Sequence, residues 1–100
     1  MSGGPLVLIV EDEPQMRRFL RASLSSHGFE VLEAETAAVA TALATSRTPE
    51  VILLDLGLPD QDGVAFARDV RGWSRVPIIV LSARGREADK VEVLDAGADD

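Results

Sequence analysis

The chain contains no cysteine, so it carries neither a disulfide framework nor a thiolate metal site, and it offers no redox clue to its compartment. Long apolar runs are missing as well. The longest, Leu6 to Val10 and Val51 to Leu54, fall far short of the roughly 20 residues a membrane-spanning helix needs, so no membrane association is expected. Met1-Ser2-Gly3-Gly4-Pro5 lacks the basic start and apolar stretch of a secretory signal and reads as a loose tail over residues 1–5. A cytoplasmic location is the default expectation. Positive charge is scarce: 10 Lys and Arg against 17 Asp and Glu give a formal net charge of -7. Nucleic-acid affinity comes mainly from cations neutralising phosphates, so DNA binding by these residues is not expected. Gly3-Gly4 satisfies no phosphate-loop spacing, and there is no internal repeat or low-complexity tract.

What the sequence does have is alternation. Leu6 to Val10 is a short apolar run rich in β-branched residues, read as a strand buried on both faces. Pro14 suits a first helical turn, Met16, Phe19, Leu20 and Leu24 recur at helical spacing, and His27-Gly28 provides a stop. Phe29 to Leu32 is a second strand, and Thr36 caps an alanine-rich helix reaching about Ser46. Val51 to Leu54 is the clearest strand and delivers Asp55 at its carboxyl end. Gly57, Pro59, Asp60, Asp62 and Gly63 mark a loop before a helix over Val64 to Arg71. Pro77 to Ser82 reads as a fourth strand, and Glu87 to Ala96 as a further helix closed by Gly97. Four strand-helix repeats imply one α/β domain with a parallel sheet, right-handed crossovers and helices on both faces.

In open parallel sheets, ligands bind beyond the carboxyl ends of the strands. If the first and third strands are neighbours, Glu11, Asp12 and Asp55 meet there, and carboxylates that close require compensation by a cation. Oxygen ligands with no His or Cys nearby favour a hard ion, Mg2+ first. A carboxylate can also act as a nucleophile toward phosphorus, and Asp55 is the best-placed candidate. Each acid alone reads as a solvated loop residue; their convergence is what carries the argument. Ser82, at the end of the fourth strand, falls on the same rim. His27 reads as a helix-end residue, Phe19 and Phe66 as core, Trp73 as a packing anchor, and Arg17, Arg18 and Arg21 as the solvated face of the first helix.

Five blocks in order carry a family resemblance: Leu8-Ile9-Val10-Glu11-Asp12-Glu13, Leu53 through Asp60, Asp62-Gly63, Val76 through Ala83, and Asp95-Ala96-Gly97-Ala98-Asp99-Asp100. They resemble the receiver domains of two-component response regulators, above all those carrying a winged-helix DNA-binding domain. Arg17 to Arg21, Glu33 to Thr36, Asp55 to Asp60 and Trp73 to Pro77 are similar to the potassium-transport regulators within that group. The resemblance implies a flavodoxin-like doubly wound sheet of order 2-1-3-4 over residues 6–100, with the family's fifth strand and helix, and the lysine at that strand's end, beyond Asp100. It implies Asp55 as phosphoacceptor, with Asp12, Asp55 and the Gly57 carbonyl on Mg2+ and Glu11 acting through water. Ser82 and the Ala83 N–H would contact the phosphoryl group, and Arg84 would reach over it. Gly57 has no side chain to position an attacking water, so slow phosphate loss is expected. The implied partners are a sensor histidine kinase, docking on the first helix, and a DNA-binding domain outside this chain. Self-association, as a homodimer or a rearranged one, follows from an open fourth-strand edge. Two alternatives remain open: a Mg2+-dependent phosphohydrolase with an Asp nucleophile, disfavoured because its second acid would fall at Gly57, and a binding module that takes no phosphate.

Overall fold

The computed structural model describes residues 4–55 and 57–81. Seven elements alternate along the chain: β1 (Leu6–Val10), α1 (Pro14–Ser26), β2 (Glu30–Ala34), α2 (Ala37–Arg47), β3 (Val51–Leu54), α3 (Gly63–Arg71) and β4 (Ile78–Val80). The strands form one parallel sheet of order β2-β1-β3-β4, as the alternation and the family resemblance imply. The helix expected over Glu87 to Ala96 lies outside the described residues.

Side chains of a strand alternate between faces, and the two faces here build two apolar layers. Leu8, Val10, Ile52, Leu54 and Ile78 point to the side covered by α2 and α3, against Ala37, Ala40 and Ala44 of the first and Val64, Phe66, Ala67 and Val70 of the second. The alanines let α2 lie close to the sheet. Val7, Ile9 and Leu53 point the other way, toward Leu20 and Leu24 of α1. Helices therefore flank both faces, and the sheet's interior strands are apolar at nearly every position because neither face meets water.

Three local differences from the sequence reading have physical causes. β2 begins and ends later than Phe29 to Leu32, because parallel pairing with β1 carries it on to Ala34, register partner of Val10. β4 is shorter than Pro77 to Ser82: Pro77 has no N–H to give, though its carbonyl accepts from Ile52 at 2.9 Å, and Ser82 lies outside the described residues. Phe19 is not core. It is 64% exposed, since a helix turns about 100° per residue and Phe19 is rotated that far from Leu20, which with Leu24 faces the sheet. Met16, one turn before Leu20, is also open to solvent.

Ends are well defined. His27 Nδ1 lies 2.8 Å from the Ser23 carbonyl at the end of α1, the helix-end role expected of it. Pro5, read as part of a loose tail, is held by the sheet, its carbonyl accepting the Glu30 N–H at 2.9 Å. Trp73, expected as a packing anchor, is instead 45% exposed and lines a cavity of about 300 Å³ with Ala44, Pro49 and Val76.

Candidate functional site: an acidic cluster at the strand ends

β1 and β3 are direct neighbours, with Val10 paired to Leu54, so the residues that follow each strand emerge side by side. Backbone bonds extend the ladder past the strands: the Asp55 N–H donates to the Val10 carbonyl and the Glu11 N–H to the Ala34 carbonyl, each at 2.9 Å. This fixes Glu11 and Asp55 at the sheet's carboxyl edge, 5% and 3% exposed. Asp12 joins them half-buried, and one carboxylate oxygen from each of the three lies within 4.8 Å of the others. Among the described residues these are the only polar side chains in such a grouping with metal-ligand character.

The electrostatics follow from that crowding. Burial pushes the Glu11 carboxyl above the usual glutamate range; the Glu13 N–H, donating to Oε2 at 3.1 Å, works against this, while Asp55, by charge and hydrogen bond, and then Asp12 push it further up. Two nearly buried acids and a third beside them are costly unless a positive charge enters. The donor set is all oxygen, which fits a hard divalent cation. Glu13, third in the acidic run, belongs elsewhere: its Oε1 accepts the Gln15 and Met16 N–H groups at 2.6 and 3.2 Å and caps α1.

Of the other expected site residues, Gly57 is exposed just past Asp55, and Ser82, Ala83 and Arg84 lie outside the described residues. Two participants escaped sequence reasoning. Arg17, expected on the solvated face of α1, is largely covered and reaches across to Glu33 and Glu35, with Arg21 also paired to Glu33. Asp60, expected only to mark a loop, accepts the first two N–H groups of α2, from Ala37 at 2.8 Å and Ala38 at 3.0 Å. Thr36, the cap that was expected, takes the Val39 N–H at 3.1 Å.

Asp60 thus ties the loop after β3 to the start of α2, and the Ala37 N–H foremost holds its carboxyl below the usual aspartate range. A carboxyl lowered by folding adds stability above that range and loses it on protonation. Asp60→Ala should therefore lower the urea midpoint at neutral pH, with the gap to the wild type closing as pH falls below the ordinary aspartate range. A gap unchanged in acid would assign the loss to packing instead.

A family model, the response regulator receiver domain, matches residues 7–100. The chain belongs to that family: it is a receiver domain of the two-component response regulators. It is 60% identical over 94 residues, 94% of its length, to the KDP operon transcriptional regulatory protein KdpE of Escherichia coli K12. It is 50% identical over 95 residues to the transcriptional regulatory protein KdpE of Mycobacterium tuberculosis H37Rv, covering 95% of the chain. In each case it spans 42% of the relative's length. Among solved structures it is similar to the BeF3-activated receiver domain of Klebsiella pneumoniae RstA, with a TM-score of 0.89 and 29% identity over 93% of this chain and 80% of that one. A response regulator of Chloroflexus aurantiacus gives a TM-score of 0.92 and 29% identity, over 98% and 83%. Membership in a signalling family sets aside the phosphohydrolase alternative. Among the described residues no helix is long and apolar enough to cross a membrane.

Proposed function

We propose that Asp55 accepts a phosphoryl group from a sensor histidine kinase, and that residues 6–100 act as the switch of a regulator whose DNA-binding domain lies outside this chain. The observation that supports this reading is the nearly buried Asp55 carboxylate at the end of β3, grouped with Glu11 and Asp12. In the transfer, an Asp55 carboxylate oxygen forms the bond to phosphorus as the phosphorus–nitrogen bond of the donor phosphohistidine breaks, and the departing imidazole takes up a proton. The β1–β3 pairing holds the nucleophile in place.

Asp12, Asp55 and the Gly57 carbonyl would hold Mg2+ directly, and Glu11 through water. When bound, the ion offsets the repulsion between carboxylate and phosphoryl oxygens. Ser82 and the Ala83 N–H are assigned to the phosphoryl oxygens, and Arg84 to modulating the phosphoryl lifetime. The similarity to KdpE favours control of potassium-transport genes as the output, in the cytoplasm. Self-association as a homodimer completes the reading.

Intact-mass analysis after incubation with acetyl phosphate tests it, on this chain, on a version extended to a full receiver, and on Asp55→Asn of each. One phosphoryl adduct that requires Mg2+ and vanishes in Asp55→Asn is the expected result. An adduct that survives Asp55→Asn, or none on the extended wild type, overturns the assignment.

A further inference from the structure

The acidic cluster is braced from outside by a side chain to which the phosphoacceptor reading gives no part. Arg17 lies in the first turns of α1 with its side chain only 19% exposed, and its guanidinium divides among three acceptors. Nη1 donates to the backbone carbonyl of Glu11 at 3.0 Å, Nε pairs with Glu33 Oε1 at 3.2 Å, and Nη2 lies 3.8 Å from the Glu35 carboxylate. The other end of Glu11 is held too, since its Oε2 accepts the Glu13 N–H at 3.1 Å. Glu11 is thereby gripped at carbonyl and carboxylate alike, at the turn that also carries Asp12.

The grip needs a planar fork. A guanidinium presents donors in several fixed directions at once, so it can hold a strand-end carbonyl on one side and a β2 carboxylate on the other; an ammonium is a single compact charge. Charge is close to balanced locally, since Arg17 and Arg21 face Glu33 and Glu35, two cations against two anions. The arginine's field at the cluster is therefore largely cancelled, and what remains is its geometry.

We infer that Arg17 is a positioning residue: held by Glu33, it fixes the turn after β1 so that Glu11 and Asp12 present their carboxylates to a divalent cation. This rests on the reading of the cluster as a cation site. Positioning and bare charge predict opposite signs, because deleting a nearby positive charge should tighten cation binding, whereas loosening the turn should weaken it. Groups that orient metal ligands typically matter by about 10- to 100-fold in affinity.

The test is a Mg2+ titration followed by backbone amide shifts, on the wild type, Arg17→Lys, Arg17→Ala, Glu33→Gln and Asp55→Asn, with a thermal melt of each in chelator. Arg17→Lys keeps the charge and loses the fork, so it should bind Mg2+ about 10-fold more weakly or worse, with Glu33→Gln weakened in the same direction. Should Arg17→Ala fail to fold, the Lys and Gln variants carry the test. Arg17→Lys binding like the wild type, or Arg17→Ala binding more tightly, overturns the inference alone, provided the wild type binds and Asp55→Asn does not. A wild type that binds no Mg2+ overturns the cation-site reading and the inference with it.

Discussion

Phe66→Ala is expected to cost the domain about 3–5 kcal/mol, while Phe19→Ala should change stability by less than about 0.5 kcal/mol. The two phenylalanines look alike in the sequence, each at a plausible core position of an amphipathic helix. Phe66 is fully buried between α3 and the sheet, in the layer with Leu8, Ile52, Leu54 and Ile78. Truncating it removes a large apolar surface from a closely packed layer and leaves a cavity the strands cannot collapse to fill, because they are held in register on either side. A domain's whole stability is about 5–15 kcal/mol, so this variant should sit near its unfolding threshold. Phe19 keeps most of its surface in water, and its loss leaves nothing unfilled. Urea melts of the two variants decide it: comparable losses would mean that Phe19 is covered in solution, by another copy or another part of the protein.

That contrast shows what the sequence could and could not reveal. β1 and β3 were legible because strands buried on both faces read as unbroken apolar runs, and each run ended in acids. From two adjacent parallel strands the meeting of Glu11, Asp12 and Asp55 followed without further information. β2 was read short because Glu33 interrupts it, and a glutamate inside a strand makes sense only once Arg17 and Arg21 are seen to meet it. Arg17 itself gave no signal, since an arginine on a helix is most simply solvated and the carbonyl it holds has no signature in sequence. Asp60 caps a helix that begins 23 residues earlier, so no local capping pattern could point to it. Periodicity assigns a helix its apolar stripe but not how much of that stripe a neighbour covers, which is why Phe19 reads as core beside Leu20 and Leu24 although only the two leucines are packed.

The second large effect concerns the acidic cluster without its cation. Glu11→Gln should make the metal-free protein more stable by about 1–2 kcal/mol near neutral pH, and should remove most of the stabilisation that Mg2+ gives the wild type. Carboxylate oxygens within 4.8 Å of one another repel by on the order of 3 kcal/mol per pair at an effective dielectric constant of about 20, and burial adds a further penalty on the charged form. Glutamine keeps the shape of Glu11 and can still accept the Glu13 N–H, so the substitution removes charge with little loss of packing. The pH dependence has a definite sign. Folding raises the Glu11 carboxyl above its ordinary range, so the folded state binds that proton more tightly than the unfolded state does. Its contribution is fully present below the ordinary glutamate range and is lost as pH rises through the raised value. In chelator, the wild type should therefore gain stability from Glu11 as pH falls from neutral toward the glutamate range, and Glu11→Gln should lack that gain. With Mg2+ the slope reverses, because protons then compete with the ion for the same oxygens. Urea midpoints across this pH range, with chelator and with Mg2+, measure both slopes. A Glu11→Gln protein less stable than the wild type in chelator at neutral pH would mean that the three carboxylates are compensated within the chain itself, and the case for a cation there would fall.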